Sequence, residues 1–319
     1  MSIRAFGGDA ARKSAMVEAV RPRWESNALL PATILKWDAD SEIHSLGGAL
    51  AETDDRATFE EKTGIPLECA MLCEALMALA VDISADPTSA QGFSMRGPSG
   101  ILSFGMEWLD AVRPGADLSE VVPQFAAYIL GIISSDVFAL AGEIEPPVKA
   151  VAAQIHALWL RELAGETIAS SEWSIVRRKA MAATTSNRSL FGHTIATFVE
   201  SVAWPVRSLA PEFVALFQTV LVTWMTYLQR PFFSEEEQRD QDHAMIGWQR
   251  IDQVSREGGS DEDMQAALDA LPESKRVMES TFAPDVKARR AEVQEQARIA
   301  TDPMLREQMN IVLKLIADA

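Results

Sequence analysis

PLECAMLCEALMALAVDI, the stretch from Pro66 to Ile83, decides the class of the fold. Leu67, Cys69, Met71, Leu72, Leu76, Met77 and Leu79 leave almost no polar face when wound at 3.6 residues per turn. The spacing therefore predicts a helix that only the centre of a core accommodates. Pro66 suits its first turn, where a missing N–H costs nothing. Cys69 and Cys73 stand one turn apart and read as small core residues. They are the only two cysteines, so a disulfide framework is excluded by number.

Working outward, the same three-to-four-residue rhythm predicts helices on both sides. Met16, Val17, Val20 and Trp24 mark one from Ala10 to Leu30. Others are expected at Ile101–Val112 and from Asp117, with Glu120 completing a capping-box pattern, to near Gly142. Past Pro146-Pro147, helices are expected at Pro147–Ala164, Ser171–Ser186, Arg188–Ala203 and Pro211–Gln229, punctuated by Pro205, Pro211 and Pro231. Asp86 to Gly97 reads as a loop. One stretch has strand character: Thr33–Trp37, a turn at Asp38–Ser41, then alternating Glu42–Leu46 before Gly47-Gly48, the pattern of a short β-hairpin. The expected class is all-α: a multi-helix bundle with one short β-hairpin near the N-terminus and a charged helical C-terminal extension. The expected division is a helical domain over 1–143, a bundle packed on it over 144–232, and a tail over 233–319. In the tail, Ser234 and Ser260 open helices, and so do Pro284 and Pro303. Leu305, Met309, Val312, Leu313 and Ile316 form one apolar face, which must pack on the body or on a second copy.

Composition bounds the partners. At 48% hydrophobic the chain can build a core, which excludes disorder as the main state. A net charge of −17 excludes a general grip on nucleic acid and suits a basic protein partner. Two apolar stretches, Val121–Ala141 and Phe213–Leu228, are interrupted or short for a bilayer and read as buried helices, so no membrane span is expected. The N-terminus lacks the apolar core of a signal peptide, and the cytoplasm is the expected location.

No catalytic, nucleotide, cofactor or metal motif stands out, so neither a cofactor nor a metal is expected. The candidate acid–base residues are His44, with Glu42, Asp40 or Glu68 as partners, because a carboxylate beside a histidine tunes it for proton transfer. The plain alternative is a charged strand edge. His156 reads as a core or boundary residue. Arg177-Arg178-Lys179 is the main basic cluster, either an anion or acidic-partner site or a solvated helix face. Trp159, Trp173, Trp204 and Trp224 read as core.

Several short stretches also carry a resemblance. They are Phe6-Gly7-Gly8-Asp9 with Lys13, Ser45-Leu46-Gly47, Phe59-Glu60-Glu61-Lys62-Thr63-Gly64-Ile65-Pro66, and Gly115-Ala116-Asp117-Leu118-Ser119. In order and spacing, over about 130 residues, they resemble a family of uncharacterised bacterial and phage-associated proteins. In that family the hairpin ends Gly-Cys-Ala-Val-Gly-Cys and a histidine precedes a Tyr-Glu pair. His44 and Gly48 stand at the two cysteine positions here, Arg56 at the histidine and Phe59 at the tyrosine. The resemblance implies a shared scaffold and no particular activity. The functional expectation is a non-catalytic interaction protein, such as an adaptor, an inhibitor or a phage- or mobile-element-associated factor, meeting its partner through an acidic helical surface. Self-association through the tail is a further expectation. The alternative is a small-ligand protein or enzyme with its site around His44.

Overall fold

A computed structural model describes residues 4–38, 40, 44–85, 88, 93–185, 189–281 and 283–319, with the backbone alone at 84, 85 and 256. After a turn at Ala5–Gly8 come α1 (Ala10–Glu25), β1 (Leu29–Leu30), β2 (His44–Ser45), α2 (Leu46–Ala51), α3 (Arg56–Thr63) and α4 (Leu67–Ala78). Next are β3 (Asp82–Ala85), β4 (Phe93–Arg96), α5 (Ser99–Leu102), α6 (Phe104–Ala111), α7 (Val121–Ile133), α8 (Pro146–Leu163) and α9 (Ser170–Thr184). Then follow α10 (Leu190–Ser201), α11 (Val206–Gln229), α12 (Glu235–Arg256), α13 (Asp261–Asp269), α14 (Pro272–Ser280) and α15 (Pro284–Asp318). With 74% helix and 3% strand, the all-α class holds.

The opening stretch does what its composition requires. Every residue of α4 from Cys69 to Met77 is buried, and α6, α7, α11 and α15 pack around it. One continuous core runs from Ala5 to Ile316, across both expected boundaries. Leu305, Met309, Val312 and Ile316 of α15 are fully buried in it, so the apolar face of the tail packs on the body. Arg306 fastens that end, donating to Glu107 Oε2 at 2.6 Å and to the Gly100 carbonyl at 2.9 Å. The α11 helix has the length and hydropathy of a membrane-crossing helix, but 56% of its most apolar window is buried against other helices.

Strand placement differs from expectation. Thr33–Trp37 forms no strand. Instead β1 and β2 pair in parallel, Leu29 with His44 and Leu30 with Ser45. Residues 39 and 41–43 lie outside the described set, and with them part of the expected turn and second strand. The segment does fold back: the Ser45 N–H donates to the Lys36 carbonyl at 2.9 Å. But Ser45 Oγ accepts from both Lys36 N–H and Gly48 N–H at 3.0 Å, because Ser45 caps α2. Ser45 thus ends β2 and opens α2, and its hydroxyl takes the Lys36 N–H that a partner strand's carbonyl would otherwise accept. The antiparallel pair is elsewhere, at β3–β4, in and beside the expected loop. There Phe93 and Met95 point inward from β4.

Pro211 and Pro303, expected to open helices, sit inside α11 and α15, whereas Pro22 lies inside α1, within the helix expected from Ala10. For α11 the reason is visible. The Glu162 carboxylate on α8 accepts from the N–H groups of Val206 at 2.8 Å and Arg207 at 3.3 Å, starting the helix five residues before Pro211. Glu120, expected in a capping box, instead pairs with Arg207 at 2.8 Å. Where Ser234 and Ser260 were expected to open helices, capping boxes form, Ser234–Glu237 and Ser260–Asp263.

The segment α12–α14 packs mainly on itself. Val254, Val277, Val293 and Ala297 are buried apart from the main core, and Gly247 lets the Met278 thioether approach α12. This arm is tied to the body by Arg230–Asp242 at 2.6 Å, by Gln249 Nε2 to the Leu190 carbonyl at 3.0 Å, and by Arg289–Glu237 at 2.7 Å.

Candidate functional site

His44 is only 5% exposed. Its ring lies 4.3 Å from that of Trp37, tilted 30°, and the Arg23 guanidinium sits 5.7 Å from the Trp37 ring centre. Both His44 and Arg23 pack against Trp37. Glu42 lies outside the described residues. Asp40 is exposed and its N–H turns to Asp38 Oδ1. The Glu68 carboxylate is taken by Arg56 at 2.6 Å, and Arg56 also meets Glu60 at 3.0 Å. Glu60 in turn accepts the Leu67 N–H at 3.1 Å. That network fastens α3 to the start of α4.

The buried acid of this region is one that the sequence reading passed over. Glu74 is fully buried on α4, with Oε2 accepting from Ala32 N–H and Oε1 from Gly47 N–H, both at 2.8 Å. Burial pushes its pKa from 4.5 up to about 8, against the downward pull of the Ala32, Gly47 and Leu46 amides. One side chain thus satisfies backbone donors at both ends of the 31–47 excursion. Gly47 allows the approach, since a Cβ there would stand 2.9 Å from Glu74 Oε1. The signal was present: a carboxylate ringed by apolar residues on a helix with no polar face is either paired or protonated. Beside it, burial and then the Cys69 thiol push Cys73 well above the usual thiol range, which keeps it neutral and inert.

Three of the four stretches that carried the resemblance meet at one joint, around residues 4–13, 61–64 and 115–116. Ala5 exchanges backbone bonds with residues 115–116, at 2.9 Å from Ala5 N–H to Ala116 O and 2.7 Å from Gly115 N–H to Ala5 O. Phe6, Gly7 and Gly8 all have positive φ, turning the chain into α1, where Asp9 caps. A Cβ on Gly64 would lie 2.0 Å from the Arg4 carbonyl. Arg12 donates to the Glu61 and Lys62 carbonyls, and Lys13 Nζ to the Asp110 carbonyl at 2.7 Å. These residues hold backbone to backbone.

Two grooves among the described residues bear on a site. The larger, about 360 Å³, lies along α1 beside Lys13, Arg21 and Asp110; its cations are already engaged by Asp110. The smaller, about 70 Å³, lies where α15 passes α11, beside Arg298 and Asp302. Neither is lined by His44 or Glu68. No group of three or more His, Cys, Asp or Glu side chains stands ready for a metal ion among the described residues.

Charge is distributed unevenly. Between 233 and 281 there are thirteen carboxylates and five basic residues. Glu235, Glu236, Asp261 and Glu262, in the first turns of α12 and α13, are exposed and make no ion pair among the described residues. Their neighbour Glu237 is held down to about 2, first by Arg289 and then by the Ser234 amide. Trp248 is 61% exposed on the same arm. Of the four tryptophans expected in the core, Trp159, Trp173 and Trp224 are buried, but Trp204 is 47% exposed. The Arg177 guanidinium lies 3.9 Å above its ring and accounts for the difference, because the indole face is covered by a cation rather than by core. No family model, no curated protein and no solved structure matches this chain.

Proposed function

We propose that this is a non-catalytic interaction protein that engages a basic protein partner through the carboxylate surface of α12–α14. The supporting observation is the set of exposed, unneutralised carboxylates at the starts of α12 and α13, on an arm built largely apart from the main core. Helix N-termini already favour these anions, so the charges are held in place at little cost. Complementary fields raise association rates and select against like-charged partners. The second reading, a small-ligand or catalytic site around His44, has less behind it: His44 is packed on Trp37, and Glu68 is held by Arg56.

The test is a pulldown from the native host with wild type and with a variant carrying Glu235→Gln, Glu236→Gln, Asp261→Asn and Glu262→Gln. These changes remove charge while keeping shape. A basic protein retained at low salt, released at high salt and lost with the variant is the expected result. Equal recovery by both forms, or no partner above background, refutes the proposal.

A further inference from the structure

Arg177-Arg178-Lys179 is the only run of three basic residues in a chain of net charge −17. It lies on α9, whose other side buries Trp173, Val176, Ala180 and Ala183. Ser174, Arg178 and Met181, spaced four and three residues apart, line one outer face, and all are exposed. Arg177 sits at its border, stacked on Trp204 and donating from Nη2 to Ser174 Oγ at 3.4 Å. Trp204 is held from behind, its carbonyl accepting from Trp159 Nε1 at 2.7 Å. Lys179 is tied to Gln154 on α8 at 2.7 Å. The result is a braced patch in which Met181 is 58% and Trp204 47% exposed beside the outward Arg178.

We propose that this patch is a second docking face, for an acidic segment of a partner protein. Carboxylates of the segment meet Arg178 and Arg177, and an apolar side chain lies on Trp204 and Met181. Tryptophan, arginine and methionine are the residue types enriched at interface cores. The stack on Trp204 fixes Arg177 before binding, so little side-chain freedom is lost on docking. The sign of the partner follows from the charge map: an acidic segment is repelled by the rest of this surface and attracted here, which also orients it. A basic segment would be drawn instead to the arm. The protein then carries two faces of opposite sign, the arrangement of an adaptor that bridges unlike partners.

The probe is a short fluorescent peptide rich in Asp and Glu with Leu and Phe interspersed, read by anisotropy against full-length protein. A matched peptide with Lys in place of the acids, and a single-stranded oligonucleotide, serve as controls. The expected result is saturable binding of the acidic peptide that weakens with salt. Arg178→Glu and Trp204→Ala each lower affinity about tenfold or more, while the arm variant Glu235→Gln/Glu236→Gln binds as wild type. Circular dichroism confirms that the variants fold; Trp204→Ala keeps the carbonyl that Trp159 uses. Wild-type affinity in both Arg178→Glu and Trp204→Ala overturns the proposal. So does equal competition by the oligonucleotide, which would mark a phosphate site. Self-association of the protein alone that Arg178→Glu abolishes would assign the face to a second copy and overturn it as well.

Discussion

Glu74→Gln isolates the fully buried carboxyl group that stands in the centre of the fold. The folded-state pKa of Glu74 is about 8 against 4.5 for the free side chain. Below about pH 4.5 both states hold the proton and ionisation costs nothing. Between 4.5 and 8 the unfolded chain has released it while the folded chain retains it, so stability falls by about 1.4 kcal/mol per pH unit. Above 8 the folded state ionises too, and the accumulated loss levels off at about 5 kcal/mol. The group is fully buried, so solvent screening does not reduce this much.

Glutamine is neutral throughout. Its carbonyl serves one of the two sites at Ala32 and Gly47, while its amide turns an N–H toward the other, which costs roughly 1–3 kcal/mol at every pH. The difference between the proteins therefore changes sign. Wild type is the more stable near pH 5 and the less stable near pH 9, with the curves crossing between about pH 5 and 7. Urea unfolding followed by far-ultraviolet circular dichroism at a series of pH values gives both curves, and titrations common to the two proteins cancel in the difference. A flat difference from pH 5 to 8 would mean that Glu74 ionises in the folded state as it does in water. A slope of opposite sign below about pH 4.5 would mean that the three amides outweigh burial. Either result refutes the reasoning.

Two further outcomes test packing and capping. Gly48→Ala places a Cβ 2.2 Å from the Lys36 carbonyl and should cost about 1–3 kcal/mol in urea unfolding, whereas Gly142→Ala, with nothing within 4 Å, should be close to neutral. Glu162→Ala removes the acceptor for Val206 and Arg207 and should cost about 1–2 kcal/mol, with amide exchange quickening in the first turn of α11 and unchanged at its centre.

What could be read from the sequence was local or periodic. The bounds of α8, α9 and α10 fall within about two residues of expectation because proline, cap and apolar stripe act over a single turn. The apolar face of α15 was legible for the same reason, and so were the helix starts at Ser234 and Ser260, each capped by a residue three positions away. What escaped was decided at long range. Nothing near Val206 announces that a carboxylate from α8 starts α11. Nothing in Thr33–Trp37 says that Ser45 will spend its hydroxyl on a helix cap. Trp204 was expected in the core because its composition is apolar; a cation from α9 covers it instead. Glu74 alone left a trace, a single acid where periodicity allowed none.

Gly48 sets the local path of the chain. In this chain the Lys36 carbonyl occupies the volume that any Cβ at 48 would need. The same carbonyl accepts the Ser45 N–H and so holds the fold-back that carries Trp37 onto His44. A side chain at 48 and this path for residues 33–38 exclude each other. A Gly48→Cys variant fits only if the 33–38 segment moves away, and thiol labelling under native conditions should then find position 48 reactive only in the fraction of molecules that have unfolded locally.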